Sequence, residues 1–214
     1  MSPRAVVFDF GGVLWDMRWD VARQLSERHG LPRSSVFETL YRTETWRDIE
    51  RGVGDPEAWK ARAHAELETR AGKTLPALHD EWRLSQRLIA VNLALVERLR
   101  PPYKVSILSN ADLALRGRLV EKLRIDHLFD DIVCSAEVGM AKPEPEIFRL
   151  AAARLGVAPG ECVFVDDWDQ NVDAAREVGM TAICYRREKG DDLAALLANA
   201  GVVPRSVNVE RAGH

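Results

Sequence analysis

The sequence predicts an α/β fold with a doubly wound parallel sheet and a helical insertion after the first strand. Five short runs rich in Val and Ile show little polar alternation, which is typical of strands buried on both faces of a parallel sheet. These runs lie at residues 5–8, 104–108, 131–135, 162–166 and 181–185. Helix-like stretches separate the later runs, at about residues 112–123, 145–155, 170–178 and 191–199. Strands that alternate with helices in this way form parallel sheets with right-handed crossovers.

The stretch between the first two predicted strands has a different character. Residues 17–98 contain no convincing strand and many helix formers, with turn signals between them. Asp55 and Pro56 predict a helix start, with Asp55 as N-cap and Pro56 in the first position. Four of the six tryptophans fall here, and we expect most of them to fill the core of a helical bundle: Trp19, Trp46, Trp59 and Trp82. The expected domains are an α/β core of residues 1–16 and 99–214 and a helical domain of residues 17–98.

The composition is that of an ordinary globular protein. Of 214 residues, 46% are hydrophobic and 29% charged, and the net charge of −3 comes from interspersed acidic and basic residues. The basic stripe of a nucleic-acid binder is missing, and no apolar run approaches the ~20 residues that cross a bilayer. The three cysteines are widely spaced and fit no zinc pattern, which predicts a reduced, cytoplasmic protein. We expect the polar last ten residues, 205–214, to fray.

Polar side chains follow each of the first four predicted strands. In order, they are Asp9, then Ser109 with Asn110, then Lys142 in a longer loop, then Asp166 with Asp167. Ligands of an open α/β sheet bind outside the carboxyl ends of its strands, so we expect these side chains to converge. Their convergence is much harder to obtain by chance than any one of the short motifs.

This set of residue types favours phosphoryl transfer to a carboxylate. Asp9 can attack phosphorus and form an aspartyl-phosphate, which water then hydrolyses. A phosphate dianion would be repelled unless cations neutralise the site; Asp9 with Asp166 or Asp167 can hold Mg²⁺, and Lys142 adds positive charge. The Ser109 hydroxyl and loop amides can hold the phosphate oxygens. The expected ligand is therefore a small phosphorylated metabolite.

In this order the four groups resemble the haloacid dehalogenase-like hydrolase superfamily. The resemblance covers residues 4–14 and about 99–190, and the insertion resembles that family's helical cap, which implies a Rossmann-like core with a cap domain. Carried over residue by residue, the resemblance implies that Asp9 is the nucleophile and that Lys142 is a catalytic residue bridging nucleophile and phosphate. It implies four metal ligands: Asp9, Gly11 through its carbonyl, Asp166 and Asp167. It implies Gly12, Ser109, Asn110 and Lys142 as substrate ligands, and Asn171 as a residue that supports the metal shell.

Gly11 departs from the family pattern. Most phosphatases of the family carry a second Asp there, as general acid for the leaving group and base for the water, a role worth roughly 10²–10⁴ in rate. Three interpretations stay open: a phosphatase resembling sugar-1-phosphate phosphatases, a metal-independent 2-haloacid dehalogenase, or a non-catalytic regulatory domain. Dehalogenases of the family typically have Tyr at this position and uncharged residues in place of the acidic pair. The retained pair Asp166 and Asp167 therefore favours the Mg²⁺-dependent phosphatase.

The best candidate for substrate contact within the insertion is the stretch 45–55. It places Trp46 and Arg47 beside glycines that allow a loop to reach over the nucleophile. A solvated helix face explains the same charged residues equally well. We expect the protein to bind neither nucleic acid nor membrane, and to be a monomer or a homodimer.

Overall fold

The computed structural model describes residues 2–205, so the expected fraying of 205–214 falls outside the described residues except at Arg205. Five parallel strands form one sheet in the order β5-β4-β1-β6-β7. They are β1 (Ala5–Phe8), β4 (Lys104–Ser109), β5 (Asp131–Cys134), β6 (Cys162–Asp166) and β7 (Thr181–Cys184), and a separate two-stranded ribbon pairs β2 (Trp15–Asp16) with β3 (Arg87–Leu88). The predicted fold class and all five predicted strands are confirmed.

The central strand β1 lies between β4 and β6. Phe8, its last residue, is in register with Ile107 on one side and Val165 on the other. The next residue on each strand therefore reaches the same edge of the sheet. The order of the strands along the chain reverses beside β1, which makes this edge the expected ligand crevice of a doubly wound sheet.

Apolar clusters cover both faces of the sheet. The helices around it are α6 (Ala90–Leu99), α7 (Leu115–Gly117), α8 (Ser135–Val138), α9 (Pro145–Arg154), α10 (Asp169–Glu177) and α11 (Leu193–Asn199), with short 3₁₀ turns at Asp126–Leu128, Pro159–Glu161 and Arg187–Lys189. The helix predicted at about 112–123 is present from Leu115 to Leu123, with a later start and a change of helix type. The Asp112 carboxylate accepts the N–H of Ala114 and delays the helix, and after α7 the chain continues as a π-helix over Arg118–Leu123.

The insertion folds as five helices: α1 (Trp19–Arg28), α2 (Ser35–Tyr41), α3 (Glu44–Ile49), α4 (Pro56–Ala71) and α5 (Leu78–Ser85). The Asp55 side chain accepts the N–H groups of Glu57 and Ala58, as predicted for an N-cap. Trp59 and Trp82 are buried in a third apolar cluster, and Trp19 and Trp46 pack against it half-buried. The expectation of no strand in this stretch is wrong at β3, because two residues are too few to show alternation.

The end of the insertion is marked by packing. Leu95, Val96 and Leu99 of α6 belong to an apolar cluster of the sheet, not to that of the insertion. We therefore propose that the core resumes near β3, about ten residues before the predicted boundary at residue 98. Among the described residues, no helix has the length and apolar character needed to cross a membrane.

Candidate active site

Asp9 stands at the carboxyl end of the central strand, where the backbone fixes its position. Its N–H donates to the Val165 carbonyl at 2.8 Å, which extends the pairing of β1 with β6 by one residue. The carboxylate is buried, and its Oδ1 accepts hydrogen bonds from the Phe10 N–H at 2.7 Å and from Lys142 Nζ at 2.9 Å. The predicted nucleophile and the predicted lysine therefore lie in direct contact.

Asp166 holds the other side of Lys142. Its Oδ2 accepts from Lys142 Nζ at 2.6 Å and from Asn171 Nδ2 at 3.0 Å, and its Oδ1 accepts from the Trp168 N–H at 2.8 Å and again from Asn171. A carboxylate offers about four acceptor positions, and these bonds fill them. Asp166 thus orients the lysine. Its predicted role as a metal ligand stays a prediction. Because its acceptor positions are filled, these bonds allow a contact with the metal through a bridging water.

Asp167 has the opposite environment. Its Oδ1 is buried and has no hydrogen-bond partner among the described residues. Asp167 belongs with Asp9 and Asp166 to a group in which one carboxylate oxygen of each residue lies within 4.8 Å of the others. An unpartnered buried oxygen is costly unless something outside the protein chain satisfies it. Three clustered carboxylates are the donor set that Mg²⁺ prefers, so the residues present fit this metal.

Burial and mutual repulsion control the titration of this cluster. Burial raises the pKa of Asp9 to about 6, more than the nearby Lys142 ammonium lowers it. The pKa of Asp167 is raised well above its ordinary value, first by burial and then by Asp9 and Asp166. Burial would lower the pKa of Lys142, but attraction to Asp166 and Asp9 raises it instead. The site therefore holds more negative charge than one ammonium neutralises.

Gly12 makes room for Asp167. A Cβ at Gly12 would lie 2.1 Å from Asp167 Oδ2, and its φ of +81° is strained for other residues. Gly12 is not among the described residues that line the cavity, so its predicted contact with substrate stays a prediction. At Gly11 the nearest atom to such a Cβ, outside its immediate neighbours, is Met17 Sδ at 3.4 Å. A Cβ therefore fits at position 11 but not at position 12.

Gly12→Ala is expected to displace the Asp167 carboxylate and weaken metal binding. The melting temperature should rise less on addition of Mg²⁺ than that of the wild-type protein, as measured by thermal denaturation with and without EDTA. Gly11→Ala adds the same methyl group where space exists, so it should reduce this rise by much less. Equal loss in both variants would contradict the steric account.

Asn110 links three parts of the site. Its Oδ1 accepts the Lys142 N–H at 2.8 Å, and its Nδ2 donates to the Lys142 carbonyl at 2.9 Å and to Glu50 Oε2 at 3.1 Å. The side-chain amide therefore fixes the backbone of the lysine. Ser109, directly before it, is buried and lines the cavity. The roles of both residues as substrate ligands stay predictions.

A cavity of about 960 Å³ separates the strand ends from the insertion. Asp9, Lys142 and Asp167 line it from the sheet, and Trp46 and Arg47 line it from the insertion. The stretch 45–55 thus lies where the sequence predicted it, and contact of Trp46 and Arg47 with substrate stays a prediction.

Part of the cavity wall was not predicted from the sequence. The missed residues include Phe37, Tyr41, Arg42, Arg83 and Arg118. Phe37 and Tyr41 are four residues apart on α2 and share a face, a spacing that identifies them once the helix is placed. The Arg42 guanidinium lies 4.9 Å from the centre of the Trp168 ring, across the gap between insertion and core. Nothing in the local sequence indicates that contact.

Residues 50–52 join the insertion to the core at the cavity. Besides the bond from Asn110 to Glu50, Arg51 forms an ion pair with Glu144. Gly52 approaches the core so closely that a Cβ there would lie 2.2 Å from the Ala136 carbonyl oxygen. Its φ of +76° also favours glycine. This loop therefore contacts the core through Glu50, Arg51 and Gly52.

Comparison with known proteins places this geometry in a family. A model of haloacid dehalogenase-like hydrolases matches residues 3–179. The phosphatase MT3486 of Mycobacterium tuberculosis is 30% identical over 200 residues, which cover 87% of this chain and 89% of that protein. The glyceraldehyde 3-phosphate phosphatase of Methanopyrus kandleri is 44% identical over 73 residues, which cover 34% of this chain and only 31% of that protein.

Solved structures agree on the fold. An enzyme of this family from Bacteroides thetaiotaomicron, in complex with magnesium and inorganic phosphate, superposes with a TM-score of 0.69 at 23% identity, over 91% of this chain and 99% of that one. The strand order, the four groups at the strand ends and the family match point to one conclusion. The chain belongs to the haloacid dehalogenase-like hydrolase family.

Proposed function

We propose that this hydrolase is a Mg²⁺-dependent phosphatase that cleaves a small phosphorylated metabolite through an aspartyl-phosphate on Asp9. The observation that carries the proposal is the contrast between two buried carboxylates. Asp9 is held by Lys142, whereas Asp167 Oδ1 has no hydrogen-bond partner within residues 2–205. One carboxylate is thus positioned to react, and the other needs a cation.

The residues divide the chemistry between them. Among the described contacts, Oδ1 of Asp9 accepts both hydrogen bonds, which leaves Oδ2 as the oxygen that attacks phosphorus. Lys142 keeps Asp9 ionised near neutral pH and places an ammonium beside the transferring group. Mg²⁺, held by Asp9 and Asp167 with the Gly11 carbonyl and Asp166 as further candidates, would supply the positive charge that offsets the phosphate dianion.

The dehalogenase interpretation fits these contacts less well. A halide leaves without a proton and without a metal, so it gives no reason to bury a carboxylate oxygen that lacks a donor. The names of similar proteins favour phosphate esters; one of them, fructose-1-phosphate phosphatase of Escherichia coli, is 37% identical over 78 residues. We therefore propose sugar phosphates as the first substrates to assay, in a cytoplasmic protein that is a monomer or a homodimer.

An assay of phosphate and halide release tests the proposal. The protein is incubated with a panel of sugar phosphates and with 2-chloropropionate, each in Mg²⁺ and in EDTA. We expect phosphate release that requires Mg²⁺ and no halide release. Halide release in EDTA would show a dehalogenase. Release of neither product across the panel would favour a non-catalytic regulatory domain.

A further inference from the structure

Hydrolysis through an aspartyl-phosphate needs a residue that donates and accepts protons, and none of the residues assigned so far does so. A leaving alcohol needs a proton, and the water that hydrolyses the aspartyl-phosphate must lose one. Gly11 offers no side chain for either transfer. Outside the cluster of Asp9, Asp166 and Asp167, the described cavity wall contains three further carboxyl groups: Glu50, Asp80 and Asp112.

The surroundings of these three groups differ. Asp80 is exposed to solvent. The Asp112 carboxylate accepts the Ala114 N–H and lies 3.5 Å from the Arg118 guanidinium. Glu50 is only 8% exposed and follows α3 at the point where the insertion meets the core. Glu50 is therefore the most enclosed of the three, and the arginine near it, Arg51, also pairs with Glu144.

The contacts of Glu50 tie its carboxyl group to Asn110, the residue that holds the backbone of Lys142. Its Oε2 accepts a hydrogen bond from Asn110 Nδ2 at 3.1 Å. Asn110 directly follows Ser109 and forms hydrogen bonds with both the N–H and the carbonyl of Lys142. The seating of Gly52 against Ala136 keeps this loop close to the core. Glu50 thus belongs to the insertion but is anchored to a residue of the catalytic sheet edge.

Burial, rather than the charges that face it, favours a proton on Glu50. Burial raises the pKa of Glu50, and Arg51 of the same loop lowers it. Arg51 Nη1 is 3.5 Å from Glu50 Oε1, while its Nη2 pairs with Glu144 of the core, so its charge is shared. Glu144 is itself an anion and raises the pKa of Glu50 further. Hydrogen bonds from the Trp46 and Asn110 side chains lower the pKa of Glu50, but less than burial raises it.

We propose that Glu50 is the general acid and base of this enzyme, in place of the carboxyl group missing at Gly11; this inference rests on the proposed phosphatase function. In the first step Asp9 Oδ2 bonds to phosphorus, the bond from phosphorus to the ester oxygen breaks, and the Glu50 proton passes to that oxygen. In the second step the Glu50 carboxylate takes a proton from water as the water oxygen bonds to phosphorus. The bond to Asp9 then breaks, which releases inorganic phosphate and restores both carboxyl groups.

Glu50→Gln separates the two steps when p-nitrophenyl phosphate is the substrate. p-Nitrophenolate leaves without a proton, so the first step should stay fast and release about one equivalent of p-nitrophenolate in a burst. Steady turnover should then fall by roughly 10²–10⁴, because water attack lacks its base. With an alkyl phosphate both steps need Glu50, and the variant should show slow turnover without a burst.

Gly11→Asp in the Glu50→Gln background is the decisive second variant. Position 11 accepts a Cβ in ordinary contact with the flexible Met17 side chain, so we expect the added carboxyl group to restore turnover by at least tenfold. Gly11→Asn has nearly the same shape and carries no titratable proton, so it should restore nothing. Glu144→Gln removes the neighbouring ion pair between insertion and core while it keeps Glu50, and it should show no burst and only a few-fold change in rate.

The outcomes separate this inference from the function on which it rests. Wild-type protein that releases phosphate from no ester would overturn both. Active wild type with a Glu50→Gln variant that keeps its turnover of alkyl phosphates would overturn the role of Glu50 alone. Equal losses on both substrates without a burst, or a Glu144→Gln variant as slow as Glu50→Gln, would assign Glu50 to docking of the insertion instead.

Discussion

Asp9→Asn is expected to reduce phosphate release by roughly 10⁴–10⁶-fold, because the attacking oxygen is replaced by an amide that cannot form the acyl-phosphate. Steady-state assays with the best ester of the panel measure the loss. Trapping with labelled substrate should find covalent phosphate on the wild-type protein and none on the variant. Retention of more than about a hundredth of the activity would exclude Asp9 as the nucleophile.

The same variant should be at least as stable as the wild-type protein, which excludes misfolding as the cause of its inactivity. Burial raises the pKa of Asp9 from 3.8 to about 6, so its contribution to stability is full below pH 3.8 and is lost as the pH rises through 6. At about 1.4 kcal/mol per pKa unit, the ionised group costs up to about 3 kcal/mol at pH 8. In EDTA, Asp9→Asn should therefore melt at a higher temperature at pH 8 and near the wild-type temperature at pH 4.

Lys142→Met is expected to damage both activity and stability. The Lys142 ammonium is buried between Asp9 at 2.9 Å and Asp166 at 2.6 Å, and its removal leaves two enclosed carboxylates without a cation. Breaking such a buried group costs about 3–5 kcal/mol. For a chain of this size that lowers the melting temperature by roughly 6–20 °C. Loss of a charge aimed at the transferring group should also slow turnover by roughly 10²–10³.

Lys104→Met is the matched control for this effect. The Lys104 ammonium donates to the Leu155 carbonyl at 2.7 Å and lies at the other end of the sheet. Its loss should cost about 1 kcal/mol and leave catalysis intact. If Lys142→Met melted no lower than Lys104→Met in EDTA, the two carboxylates would not depend on Lys142 for their burial.

The core and its sheet edge were predictable because their signals are local and periodic. A polar residue ends or directly follows each of the three central strands β4, β1 and β6, and the parallel arrangement then brings Asp9, Ser109 and Asp166 to one edge of the sheet. The two-residue strand β3 was missed because it carries no period. The late start of α7 was missed because it depends on the Asp112 carboxylate, whose conformation the sequence pattern does not show.

The contacts between insertion and core were beyond prediction for a different reason. Asn110 lies 60 positions from Glu50 and 32 from Lys142, and no periodicity links residues so far apart. The different roles of the adjacent residues Asp166 and Asp167 also depend on distant donors. Asn171, Lys142 and the Trp168 N–H donate to the oxygens of the first, while no donor in the part of the chain that the structure describes reaches Oδ1 of the second. The sequence pattern identifies the acidic pair, but only the folded structure shows that Asp166 and Asp167 differ in their hydrogen-bond partners.

The apolar clusters of the described residues have a consequence for how substrate gains access. The cluster of the insertion and the two clusters of the sheet share no member. Across the cavity the two parts meet through contacts such as Arg51 with Glu144 and Arg42 on Trp168, each worth about 0.2–1 kcal/mol. Moving the insertion away from the α/β core therefore disrupts no apolar cluster that the two parts share. Resistance to heat and ease of access to the cavity are set by different residues, so evolution or engineering can adjust one without a cost to the other.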